Sequence, residues 1–179
     1  MEYIRHLYLF RHGKTNAVDE NIRHSLMSGR YLTDDGIAET AELANALADK
    51  QIDVFFVSPH ERSVHTAKIV AEKHPNAEMI IDERFGDGIF YLWQTDDPND
   101  AVESDKTLAR VRNALTDVLK TEYKNIAIAS HGGITRAIMY LCGHKIGGIG
   151  TGKYIHIGFD GQKWMIVDGT NEPKLMTLS

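Results

Sequence analysis

Short apolar runs of strand length alternate along this chain with segments whose apolar residues return at helical spacing, and this alternation limits the fold more than any other feature. Tyr3 to Phe10, rich in β-branched and aromatic residues, reads as a strand that stops at the polar stretch Arg11-His12-Gly13-Lys14-Thr15-Asn16. Thr33 is the expected N-cap of a first helix, with Asp34 and Asp35 in its opening turn and Ile37, Ala41, Ala44 and Leu47 on one face, ending near Lys50. Ile52 to Val57 reads as a second strand. Ser58-Pro59-His60-Glu61 then has the form of a capping box with proline at the first helical position, so a second helix should follow at once. Met79 to Ile81 is a short strand, and Leu108, Val111, Leu115 and Val118 place a helix behind Ser104 as its cap. Ile126 to Ala129 is another strand, after which His131-Gly132-Gly133 launches a helix marked by Ile134, Ile138 and Leu141. Tyr154 to Phe159 and Trp164 to Val167 flank an Asp160-Gly161 turn and suggest a hairpin.

Strands that alternate with helices require right-handed crossovers, which predicts an α/β three-layer sandwich with a mostly parallel central sheet and helices on both faces. A length of 179 residues, with 42% hydrophobic and 25% charged, suits one such domain over residues 1–179. Asp82 to Asp105 holds an aromatic cluster and many acids without a sustained period, so about 84–105 is expected to be a short excursion from the core. A formal charge of -5 argues against a surface that tracks a nucleic-acid backbone. No stretch approaches the roughly 20 apolar residues that cross a bilayer, and the opening residues lack the apolar core of a signal peptide, so a cytoplasmic protein without a membrane partner is expected. The one cysteine, Cys142, makes no internal disulfide, in keeping with a reducing compartment.

In open parallel sheets, ligands bind beyond the carboxyl ends of the strands. Three polar clusters belong there: Arg11-His12-Gly13 after the first strand, Ser58 with Arg62 after the second, and Ser130-His131-Gly132 after the strand at 126–129. Arg11 and Arg62 offer fork-shaped donors whose charge suits a phosphoryl group in transfer. Two imidazoles offer one nucleophile and one further donor. Gly13 is expected to let the backbone approach the ligand, and the helix starts after Ser58 and His131 add anion-binding dipoles. An isolated Arg or His in a loop is usually a solvated surface residue; it is the joint placement at three strand ends that points to phosphate chemistry. No ligand set with metal spacing is visible, so neither metal nor cofactor is expected.

Leu9-Phe10-Arg11-His12-Gly13-Lys14-Thr15-Asn16 resembles the Arg-His-Gly-x-Thr motif of the histidine phosphatase superfamily in its phosphoglycerate-mutase-like branch. Ser58-Pro59-His60-Glu61-Arg62 with Thr66-Ala67 resembles its second motif, Ser130-His131-Gly132-Gly133 its third, and Leu32-Thr33-Asp34-Asp35-Gly36 a Leu-Thr-x-x-Gly run before the first helix. The order is that of the family and spans most of the chain. The resemblance implies a phosphomonoesterase in which His12 is the phosphorylated nucleophile. It also implies that Arg11, Arg62 and His131 line the phosphate pocket, with Thr15 and Asn16 beside it. Leaving-group protonation suits a carboxyl group. Glu83, in Asp82-Glu83-Arg84-Phe85-Gly86, matches the family's proton donor, with Asp82 and Asp87 as nearby rivals. Where many phosphatases of the branch continue with Trp-Glu-Gly, this chain has Asp87-Gly88-Ile89-Phe90-Tyr91-Leu92-Trp93, a departure at the pocket wall. The expected substrate is a small phosphorylated metabolite, with a phosphoprotein, including one bearing phosphohistidine, as the alternative. A phosphoglycerate-type mutase and a non-catalytic phosphate binder are the competing functions.

Other signals carry less. His60 and His65 resemble the zinc-protease helix, but a spacing of five turns them off a common face. Cys142 has no arginine shortly downstream and reads as a buried or semi-buried free thiol. Gly147 to Gly152 precedes a strand and reads as a loop near the active edge, and Phe90, Tyr91 and Trp93 read as core filling.

Overall fold

A computed structural model of the chain describes residues 2–16, 30–91 and 97–170. Six strands form one sheet in the order β3-β2-β4-β1-β5-β6. They are β1 (Arg5–Arg11), β2 (Val54–Val57), β3 (Glu78–Ile81), β4 (Asn125–Ser130), β5 (Tyr154–Phe159) and β6 (Trp164–Gly169). The first four run parallel, while β5 and β6 add an antiparallel edge, so the sheet is mostly parallel as expected. The hairpin joining β5 and β6 turns at Gly161, whose positive φ of 99° favours glycine.

Strand residues alternate between two cores because successive side chains point to opposite faces. Leu7, Leu9, Val54, Phe56, Ile126 and Ile128 pack on one side against α3 (Pro98–Lys120) and α4 (Gly132–Leu141). Tyr8, Phe10, Phe55, Val57, Ala127 and Ala129 face the other way, against α1 (Asp34–Leu47) and α2 (Glu61–Ala71). Thr33 caps α1 as predicted, its hydroxyl accepting from the Gly36 N–H at 3.1 Å. Among the described residues no helix is long and apolar enough to cross a membrane.

Two helix starts differ from the sequence reading. α2 begins at Glu61, with His60 as its N-cap and no side-chain cap bond from it; the Ser58 hydroxyl, 2.8 Å from His131, accepts the His60 N–H at 3.3 Å just before the helix. α3 begins at Pro98, where Asp97 accepts from the Asn99 N–H at 2.8 Å, and so starts inside the stretch assigned to the excursion. Ser104 lies buried within that helix and takes the Tyr91 N–H on its hydroxyl at 3.1 Å. Phe90 is buried against Tyr140, whereas Trp93 lies outside the described residues.

Candidate active site

Sheet register brings the three polar clusters together. Phe10 pairs with Ala129 and Val57 pairs with the same residue from the other side, so β1, β4 and β2 end level. The chain leaves the sheet still held across these ends: His12 N–H donates to Ser130 O at 3.1 Å, Ser58 N–H to Ala129 O at 3.0 Å, and Asp82 N–H to Val57 O at 2.9 Å. Arg11, His12, Ser58, Ser130 and His131 therefore converge on one edge, and the segment after β3 arrives there too.

His12 is buried, and its Nδ1 is 2.8 Å from the carbonyl of Gly13. A carbonyl only accepts, so Nδ1 carries the proton and the lone pair sits on Nε2. Nε2 faces Arg62, whose Nε–H points at it from 3.2 Å. Arg62 is 1% exposed and also donates through Nη2 to Asp87 Oδ2 at 2.8 Å and towards His131 Nδ1 at 3.3 Å. His131 Nε2 lies 2.8 Å from the Ser58 hydroxyl and 3.4 Å from that of Ser63. Because a hydroxyl both donates and accepts, Ser58 serves either His131 tautomer: Nδ1 can accept from Arg62, or donate outward. The Arg11 guanidinium donates to Ile149 O at 3.1 Å and lies against Gly132, the first residue of α4. Arg11 Nε and Arg62 Nη1 are buried with no hydrogen-bond partner among the described residues. An unpaired buried donor costs about 1–3 kcal/mol, so a site that keeps two of them on neighbouring cations suits an anion.

Burial pulls the His12 pKa down to about 4; the bond to Gly13 opposes this, while Arg62 and Arg11 reinforce it. His131 is shifted in the same direction, first by burial and then by Arg62. Both rings are therefore neutral near pH 7, as a nucleophilic imidazole must be. The sign of the stability effect follows. An unfolded His12 titrates near 6.5, so between that pH and about 4 the unfolded chain holds a proton that the folded chain lacks. Stability is full above pH 6.5 and falls as pH drops towards 4, with His12 alone accounting for roughly 2 kcal/mol lost by pH 5. Urea unfolding at pH 7 and pH 5 should show this loss, and His12→Asn should reduce it. An unchanged pH dependence in the variant would contradict it.

The other predicted residues fall around this cluster. Thr15 bridges to Leu32, and Asn16 accepts the Tyr31 N–H on its side chain at 3.0 Å, so both sit in the loop leaving His12. Gly13 also has a packing use. A Cβ there would lie 2.4 Å from Gly36 O and 2.6 Å from Thr40 Oγ1, so glycine lets α1 pack under the His12 loop. The glycine-rich loop does reach the active edge, since Gly152 N–H donates to Arg11 O and His12 O, both at 3.2 Å. Cys142 is buried in the core, and burial raises its thiol pKa to about 12, which leaves it unreactive at neutral pH.

Among the three carboxylates, Glu83 is exposed on a 3-10 turn (Glu83–Phe85) and, among the described residues, makes no side-chain hydrogen bond or ion pair with the cluster. Asp82 is tied to Arg84 through both of its oxygens. Asp87 reaches the cluster, 2.8 Å from Arg62 and 3.7 Å from His131. The sequence left two contributors without a role. Thr66, already part of the second motif, accepts the Gly13 N–H at 3.1 Å and donates to Arg62 O at 2.8 Å. Arg110, on α3, binds the carbonyls of Arg84, Gly86 and Asp87 at 2.8–3.0 Å, and no motif announced it. Among the described residues no group of three or more His, Cys, Asp or Glu is placed to hold a metal ion.

The fold is shared with known proteins. An α-ribazole phosphatase from Shigella flexneri superposes with a TM-score of 0.70 at 22% identity, covering 90% of this chain and 94% of its own. A mycobacterial glucosyl-3-phosphoglycerate phosphatase also superposes at 0.70, with 19% identity over 90% and 96%. At such identities these likenesses show the shared fold. In sequence, the protein named "Putative phosphoserine phosphatase 2" of Hydrogenobacter thermophilus is 25% identical over 161 residues, covering 77% of this chain and 78% of its own length. The family-wide pattern of the histidine phosphatase superfamily (branch 1) matches residues 7–107, more than half of the chain. With the family's motifs gathered at one sheet edge and this match along the sequence, the chain belongs to branch 1 of the histidine phosphatase superfamily and is a phosphatase of that type.

Proposed function

We propose that the chain hydrolyses phosphomonoesters of small metabolites by passing the phosphoryl group through Nε2 of His12. The observation that carries this reading is a neutral, buried imidazole whose Nδ1–H is held by Gly13 O while its unprotonated Nε2 accepts from Arg62 Nε. A phosphoryl group at that nitrogen meets Arg11 and Arg62, whose unpaired donors, Arg11 Nε and Arg62 Nη1, suit its non-bridging oxygens. His131 adds Nδ1–H in the tautomer that Ser58 permits, and Gly132 adds an N–H at the start of α4. Thr15, Asn16 and Ser58 complete the surroundings of the pocket. Relatives whose names refer to phosphoserine, α-ribazole and glucosyl-3-phosphoglycerate support a small phosphorylated metabolite as substrate. We place this activity in the cytoplasm, where buried Cys142 stays reduced.

Charge neutralisation is assigned to Arg11 and Arg62, so turnover should need no divalent ion. An aryl phosphate assay in EDTA, followed by a panel of phosphometabolites that includes 3-phosphoglycerate, tests the reading. Undiminished turnover with EDTA and a preferred small substrate are expected. Loss of activity restored by a divalent ion would contradict the assignment of charge, and turnover of phosphoproteins alone would contradict the substrate class.

A further inference from the structure

We propose that Asp87 is the acid–base residue of this site and that Arg110 is its positioning residue. The proposal rests on His12 as phosphoryl acceptor. Asp87 Oδ2, Arg62 and His12 Nε2 form one continuous run, with contacts of 2.8 Å and 3.2 Å. Along it, exposure rises outward: the Arg62 side chain is 1% exposed and that of Asp87 34%. The carboxylate therefore stands at the mouth of the pocket, where the leaving group of an ester attacked from His12 must face. The rival acids lack this contact, since Asp82 is engaged by Arg84 and Glu83 is exposed without a hydrogen bond or ion pair to Arg62 among the described residues.

The loop that carries Asp87 is anchored on both sides. Gly88 N–H holds Oδ1 at 2.9 Å, which leaves Oδ2 turned to Arg62. Arg110 gathers three carbonyls from Arg84 to Asp87 with contacts of 2.8 to 3.0 Å, and reaches that of Glu83 at 3.4 Å. A Cβ on Gly88 would lie 2.7 Å from Arg110 Nη2, and one on Gly133 would lie 2.2 Å from Gly88 O, so the loop is pressed between α3 and the start of α4.

In the first step the His12 Nε2 lone pair forms the N–P bond and the ester P–O bond breaks. The leaving oxygen keeps the electron pair and takes the proton of the Asp87 carboxyl. In the second step a water oxygen bonds to phosphorus and its proton passes to the Asp87 carboxylate. The N–P bond breaks, its pair returns to Nε2, and phosphate leaves. At rest Asp87 pairs with Arg62; a bound phosphate draws Arg62 away, and the proton for the first turnover comes from the substrate monoanion, whose second pKa is about 6.

The test compares Asp87→Asn, Glu83→Gln and Arg110→Lys on an alkyl phosphate and on an aryl phosphate with a good leaving group. Asp87→Asn should slow the alkyl substrate by about 10²–10⁴-fold and the aryl substrate less in phosphoryl transfer. It should also make phospho-His12 accumulate under neutral quench with the aryl substrate, because water is no longer deprotonated. Glu83→Gln should leave both rates near wild type, and Arg110→Lys should lower kcat with little change in KM. Equal losses on both substrates in Asp87→Asn, or the leaving-group-dependent loss in Glu83→Gln instead, would overturn the proposal. Failure to phosphorylate His12 in the wild type would overturn the nucleophile assignment itself, and that result is separate from either pattern.

Discussion

Replacing His12 with alanine should lower turnover of any phosphomonoester by at least about 10⁴-fold, on the scale seen when an enzyme loses its covalent nucleophile. The reason lies in how the ring is held. Its Nδ1–H is taken by Gly13 O, burial keeps it neutral, and Arg62 Nε marks the direction of the free nitrogen. The described residues offer no substitute at that point: Ser58 Oγ is bound to His131, and Cys142 is in the core. Steady-state kinetics on an aryl phosphate, with circular dichroism as the control for folding, measures the loss. Activity within tenfold of wild type would mean that phosphoryl transfer does not pass through this ring.

Arg62→Lys should cost roughly 10³-fold in kcat/KM although the charge is kept, because transition-state charge on a phosphoryl group is met by the guanidinium fork. One guanidinium here touches His12, Asp87 and His131 at once. A lysine ammonium is a point charge and cannot hold all three directions. It also leaves Asp87 and His131 without their shared partner. Both kcat and KM should therefore worsen, and inorganic phosphate should inhibit more weakly. A variant impaired in KM alone would make Arg62 a binding residue that does not act on the transition state.

The sheet and most of the pocket were legible in the sequence because a parallel strand buried on both faces reads as an apolar run that stops abruptly at polar residues. Phe10 gives way to Arg11-His12, Val57 to Ser58, and Ala129 to Ser130-His131, and level strand ends place these breaks at one edge. The start of α2 was read two residues early: the Ser58 hydroxyl does accept the His60 N–H, as the Ser-Pro-x-Glu pattern suggests, but it also contacts His131, and the helix itself begins only at Glu61. α3 was begun too late because a serine before an apolar helical face looks like a cap, yet Asp97-Pro98 supplies the cap and Ser104 is buried against the Tyr91 N–H. Gly13 and Gly36 carried no pattern from which their mutual packing could be read, since their contact joins a loop to the first turn of α1 twenty-odd residues on. The proposed choice of Asp87 over Asp82 and Glu83 was likewise hidden. It rests on a 3-10 turn and on Arg110, a residue of α3 that local periodicity treats as one more helical charge.

The central claim, that His12 carries the phosphoryl group, is tested most directly by trapping the enzyme during turnover of a slow substrate. Neutral rapid quench followed by peptide mass spectrometry should find a stoichiometric phosphoryl group on His12, lost on brief acid treatment, and accumulating further in Asp87→Asn. Label on Ser58, Cys142 or His131, or turnover in 18O-labelled water with no phosphoenzyme and direct inversion at phosphorus, would contradict it.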